Sequence, residues 1–107
     1  MSRKVIVTLP KQATRGEVIE IKTLAQHAME TGYRRTQYGK EIPRDIIRSF
    51  TCTYNGAEVS RVELHPAISA NPLIAFTTVA TESGTLEFKW SGDNGYEVTE
   101  TARITVV

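Results

Sequence analysis

Cysteine, histidine, leucine and net charge are all scarce in this sequence of 107 residues. Its single cysteine, Cys52, excludes an internal disulfide and any multi-cysteine zinc or iron–sulfur site. Charge of one sign is missing as well: 13 Lys+Arg stand against 12 Asp+Glu, a net +1. That balance argues against a nucleic-acid binder whose affinity rests on phosphate neutralisation. There is no long apolar run. Residues 5–9, held between Arg3-Lys4 and Pro10-Lys11, are too short for a secretory signal and far short of a membrane span. Taken alone, the chain reads as a soluble cytoplasmic polypeptide, unless a partner carries it elsewhere. At this length one domain, residues 1–107, is expected, burying roughly 65% of its unfolded surface, enough for one core but not for a large internal pocket.

What the sequence does contain is β-branched residues. Nine Val, nine Ile and fourteen Thr stand against five Leu. Branching at Cβ stiffens the first side-chain torsion and suits a pleated surface better than a helix. Period-2 alternation then marks the strands. Residues 4–9 form the first candidate, closed by Pro10, which has no N–H for a sheet ladder. Residues 17–24 follow, with Ile19 and Ile21 alternating against Glu20 and Lys22. Alternation returns from Asp45 and places Phe50, Cys52 and Tyr54 on one face. Asn55-Gly56 signals a type I′ hairpin into residues 57–64, because both central residues of that turn need positive φ. Residues 73–80 and 85–91 follow, the latter with Leu86, Phe88 and Trp90 inward. Gly92-Asp93-Asn94-Gly95 reads as turn chemistry and leads into a last strand carrying Tyr96, Val98, Ala102, Ile104 and Val106 on one face. Seven short strands in about 100 residues point to an all-β, immunoglobulin-like antiparallel β-sandwich. A small antiparallel barrel is the competing arrangement, and periodicity does not separate the two.

Most catalytic constellations fail on inventory. A copper site needs a Cys thiolate, two imidazoles and usually an axial Met. Cys52, His27, His65, Met1 and Met29 barely supply these, at poor spacing. A non-haem iron site of the superoxide-reductase type needs several more than two histidines. Cys52 alternates with Phe50 and Tyr54, so it reads as core, and free Cys is among the most buried residue types. A Cys52–His27 dyad is the alternative that would make the chain a small metal- or thiol-dependent redox enzyme on a β-sandwich. No catalytic residue, metal ligand or cofactor is expected.

One segment breaks the β pattern. Residues 26–44 lack alternation and hold Gly32, Gly39 and Pro43. Unstructured connections of that length are uncommon in compact domains and usually functional or disordered. Arg34, Arg35, Lys40 and Arg44 are concentrated there with Tyr33 and Tyr38, residue types enriched where proteins meet partners. His27, Met29, Tyr33, Arg34, Arg35, Tyr38 and Arg44 are therefore the candidate partner-binding residues. A solvated basic loop is the bland reading, and His27 and Met29 equally suit packing at its base.

At these residues the sequence resembles the SoxZ family, one subunit of the SoxYZ sulfur-carrier complex of bacterial thiosulfate oxidation. The resemblance rests on His27-Ala28-Met29-Glu30-Thr31-Gly32-Tyr33-Arg34, Ile42-Pro43-Arg44-Asp45-Ile46-Ile47, the Asn55-Gly56 hairpin, Asn71-Pro72, and Phe88-Lys89-Trp90 through Asp93-Asn94-Gly95. Ala28 departs from it, where many relatives are expected to have Pro. The resemblance implies a heterodimer with a SoxY-like subunit whose mobile, glycine-rich C-terminal tail carries sulfur covalently on a cysteine. This chain ends Thr101-Ala102-Arg103-Ile104-Thr105-Val106-Val107, without Gly or Cys, so its implied task is to hold the carrier and present it transiently to other Sox enzymes. The resemblance further implies a periplasmic destination reached by co-export with the partner. An apolar strand face joined with the 27–44 loop is expected to bury on the order of 1,600 Å² against the partner. Open strand edges invite self-pairing, so the isolated chain can form a homodimer even where the heterodimer is the working state. No nucleic acid and no membrane are expected as partners.

Overall fold

The computed structural model describes residues 5–32, 35–64 and 70–107. Among the described residues eight strands form two sheets: β1 (Val5–Thr8), β2 (Gln12–Ala13), β3 (Val18–Ala25), β4 (Ile47–Tyr54), β5 (Ala57–Glu63), β6 (Leu73–Val79), β7 (Gly84–Gly92) and β8 (Glu97–Val106). A 3₁₀ turn, Asp93–Gly95, joins the last two. One sheet has the order β1-β3-β6 and the other β2-β8-β7-β4-β5. The all-β sandwich read from the alternation is the observed architecture.

One pairing departs from a purely antiparallel sandwich. β2 runs parallel to β8, Gln12 opposite Thr105 and Ala13 opposite Val106. Pro10 ends β1, and the chain crosses to the other sheet, where the Ala13 side chain is enclosed, 4% exposed. Two residues of pairing carry too little periodicity to be seen in sequence.

Inward positions of both sheets meet in one core. β3 contributes Ile19, Ile21, Thr23 and Ala25, β4 contributes Phe50, Cys52 and Tyr54, and β7 contributes Leu86, Phe88 and Trp90. Phe50 is central: its ring lies 5.2 Å from Trp90 and 6.3 Å from Phe88 within its own sheet, and 6.1 Å from Phe76 on the facing one. Among the described residues Thr23 is the buried polar one, and its hydroxyl donates to the Ile74 carbonyl at 3.1 Å, which removes the cost of burying it. The Tyr54 hydroxyl donates to the Glu82 carbonyl and accepts the Glu82 N–H, fastening the β6–β7 connection to β4. At the β4–β5 hairpin Asn55 and Gly56 have φ of 49° and 84°, as a type I′ turn demands. A register shift opposite Cys52 and Thr53 leaves Val59 as the extra residue of a bulge on the edge strand β5.

Candidate functional site: an arm stitched to one end of the sandwich

The described parts of the connection from β3 to β4, residues 26–32 and 35–46, are more ordered than the sequence predicts. The connection folds back on itself through two antiparallel bridges, Glu30 with Asp45 and Arg35 with Glu41. At the base, Glu30 N–H donates to the Asp45 carbonyl at 2.8 Å and Asp45 N–H donates to the Glu30 carbonyl at 2.8 Å. At the tip, Thr36 N–H donates to the Lys40 carbonyl at 2.8 Å, while the Thr36 hydroxyl oxygen accepts the N–H groups of Tyr38 and Lys40. Gly39, with φ of 78°, turns the chain there. The result is an arm, not a structureless loop.

Three anchors hold the arm to the sandwich. The first is His27. Its N–H donates to the Asn71 side-chain oxygen at 3.0 Å and its carbonyl accepts Asn71 N–H at 2.7 Å. Its ring stands edge-on to Tyr96, 4.8 Å between centroids, and Nδ1 accepts the Met29 N–H at 3.0 Å. Nδ1 is thus the unprotonated nitrogen, which places the ring proton on Nε2, 3.7 Å from Asp45 Oδ1. The second anchor is Met29, which sits at a φ of 56°, a left-handed conformation that costs a non-glycine residue energy. Its sulfur accepts the Ile47 N–H at 3.2 Å.

The third anchor is Arg44. Nε and Nη2 form a two-pronged bond to the Asp93 carboxylate at 2.8 and 3.0 Å. Asp93 Oδ2 also accepts Ile46 N–H at 3.3 Å. Partial burial works against the Asp93 carboxylate, but the Arg44 hydrogen bonds, the Ile46 N–H and the charges of Arg44 and Arg48 outweigh it. The carboxyl is held below its usual range.

Of the seven residues expected at a partner surface, five are described. Arg35, Tyr38 and Arg44 are exposed, with Tyr38 88% open to solvent at the tip. His27 and Met29 pack the base, the Met29 side chain 4% exposed, because the chain must bury apolar surface where it leaves the sheet. Tyr33 and Arg34 lie outside the described residues. Two of the cations are engaged within the chain, Arg35 with Glu41 at 3.4 Å and Arg44 with Asp93. Asn71, Asp93 and Tyr96 were not visible as site residues in the sequence. They lie 44 or more positions from their partners, and Asp93 read only as part of a turn.

Residues 26–46 hold no cysteine. Among the described residues no group of three or more His, Cys, Asp or Glu side chains could hold a metal ion. Cys52 is 0% exposed in the core, and burial pushes its thiol up to about 12. His65 lies outside the described residues.

The family model of sulphur oxidation protein SoxZ matches residues 6–103. The chain belongs to the SoxZ family. As a SoxZ-family chain it is a subunit of a SoxYZ-type sulfur-carrier complex, the place in sulfur oxidation that its motifs implied. Compared by sequence with curated proteins, it matches none. Among solved structures, a superoxide reductase (neelaredoxin) from Ignicoccus hospitalis is similar at a TM-score of 0.75 and 14% identity, over 96% of this chain and 80% of that one. The sulfur carrier protein SoxY from Chlorobium limicola is similar at a TM-score of 0.66 and 9% identity, over 96% of this chain and 78% of that one. At these identities the likeness is one of fold. The SoxZ-family chain has two histidines in all, fewer than the iron site excluded above requires.

Proposed function

We propose that this chain is the non-catalytic subunit that holds a SoxY-like carrier in a heterodimer and presents it to other Sox enzymes. The observation that carries the reading is the enclosure of Cys52. A SoxZ-family chain whose one thiol is buried and un-ionised has nothing on which to load sulfur, so the reactive cysteine belongs to a partner. The arm suits the presenting role. It is fixed at its base by hydrogen bonds and offers Tyr38, Arg35 and Lys40 at its tip, the combination of aromatic and cationic side chains favoured at protein contacts. The working compartment in this proposal is the periplasm, reached together with the carrier.

Co-expression with a cysteine-tailed SoxY-like subunit tests the reading. A stable one-to-one complex is the expected product, with sulfur adducts found only on the carrier's tail cysteine. Turnover of a sulfur substrate by the purified chain alone, or stoichiometric iron or copper in it, would overturn the proposal in favour of a redox enzyme using Cys52 and His27.

A further inference from the structure

The two outer faces of the sandwich differ in kind. On the five-stranded sheet the outward positions of β7 and β8 include Glu87, Lys89, Thr99 and Arg103, an ordinary solvated surface. On the three-stranded sheet four large apolar side chains face out: Ile6, Val18, Leu73 and Val79, 43%, 64%, 66% and 45% exposed. The register aligns them. Ile6 pairs with Leu24 and Leu24 with Leu73, an apolar row crossing all three strands, and Val18 pairs with Val79 at the far end. Between the rows lie Lys22 and Glu20, 3.5 Å apart. The Ile6–Leu24–Leu73 row is contiguous apolar surface, and on a sheet face such surface marks a contact site.

We infer that the outer face of β1-β3-β6 is the seat of the SoxY-like carrier's own sandwich, with the arm closing on the same partner. This rests on the carrier reading above and adds which face is used. Strands of four, eight and seven residues, about 4.8 Å apart, offer roughly 300 Å² of face, less than half of what each side of a stable interface contributes. The arm supplies the remainder because it is rooted at the apolar row: His27 follows Leu24 by three residues, Asn71 precedes Leu73 by two, and His27 and Asn71 are joined by two hydrogen bonds. SoxY of Chlorobium limicola shares this fold. A carrier of that fold brings a sheet that stacks on this one about 10 Å away. A second copy of the chain would bring only another enclosed Cys52, and no thiol to carry sulfur.

The test measures the dissociation constant between the chain and a SoxY-like carrier, with melting of each isolated variant recorded alongside. Leu73→Asp and Ile6→Lys alter exposed positions, and each is expected to weaken binding at least 100-fold while the isolated chain melts as wild type does. Glu87→Lys, on the opposite face, is expected to leave binding unchanged. Unchanged affinity in a folded Leu73→Asp or Ile6→Lys chain would overturn the assignment of the face. So would an equal loss with Glu87→Lys. If the isolated chain is a dimer that Leu73→Asp dissociates while carrier affinity holds, the occupant is a second copy and the inference fails. A wild-type chain that binds no carrier would sink the carrier reading itself, and this inference with it.

Discussion

Cys52 illustrates how a position in the pleat decides chemistry. It shares the inward face of β4 with Phe50 and Tyr54, so its sulfur has no water to stabilise a thiolate. The unfolded thiol ionises near 9.0 and the folded one only at about 12. Between those values ionisation favours the unfolded chain, so the stability linked to this group is complete below about pH 9 and is lost as pH rises toward 12. At pH 8 a thiol-specific aromatic disulfide should label the native chain many-fold more slowly than the denatured one. Rapid stoichiometric labelling of folded protein would contradict the enclosure. Gly92 is fixed by a different constraint, close approach. A Cβ there would stand 2.4 Å from the Ile46 carbonyl oxygen and 2.9 Å from Ile47 Cα, both backbone atoms with little room to yield. Gly92→Ala should therefore push the base of the arm off β7 and cost about 1–3 kcal/mol in chemical denaturation.

The arm is stable as an element because its anchors come from the sandwich. Asp93 serves two of its groups, the Arg44 guanidinium and the Ile46 N–H. Its folded carboxyl titrates below the unfolded value of 3.8, so the stabilisation is present above that pH and is lost as pH falls through the folded value. Backbone amides of Glu30 and Asp45 should lose exchange protection in Asp93→Asn at neutral pH, and in the wild-type chain only below about pH 4. Protection in Asp93→Asn equal to wild type at pH 7 would show that His27 and Met29 hold the arm unaided. All strands but β2 were legible in the sequence because each obeys one local period; β3, β4, β7 and β8 fall where Ile, Phe and Trp alternate with Thr, Glu and Lys. The arm's location was legible as the failure of that period. Its order was not. The contacts that make it are single pairs far apart in sequence, His27 with Asn71 and Arg44 with Asp93, and nothing local distinguishes an aspartate that closes a turn from one that also grips an arginine. Met29 was ambiguous for a related reason: a thioether suits a core gap or a contact surface equally, and only the left-handed turn at φ of 56° directs it inward.

At the scale of the molecule the shape itself bears on association. The chain measures 59 × 20 × 19 Å and exposes 6774 Å². A compact monomer of this mass would expose about 5,900 Å² by the usual scaling. The excess is comparable to what one side of a standard interface buries, about 800 Å². If apolar area on the three-stranded face supplies the depth of binding, charge at the arm tip governs the approach. Arg35 sits beside Glu41 at 3.4 Å, and among the described residues Lys40 has no ion pair. Removing both cations leaves Glu41 as an uncompensated negative charge at the tip. For an acidic carrier surface, Arg35→Ala with Lys40→Ala should slow association at low ionic strength, by about tenfold, and change dissociation little, since rim charges act on encounter more than on the bound state. The difference from wild type should shrink as salt rises, because screening shortens the reach of the tip charges to about 8 Å at physiological ionic strength. Association rates that stay equal to wild type from low to high salt would assign the tip no steering role and leave the apolar face as the whole of the recognition.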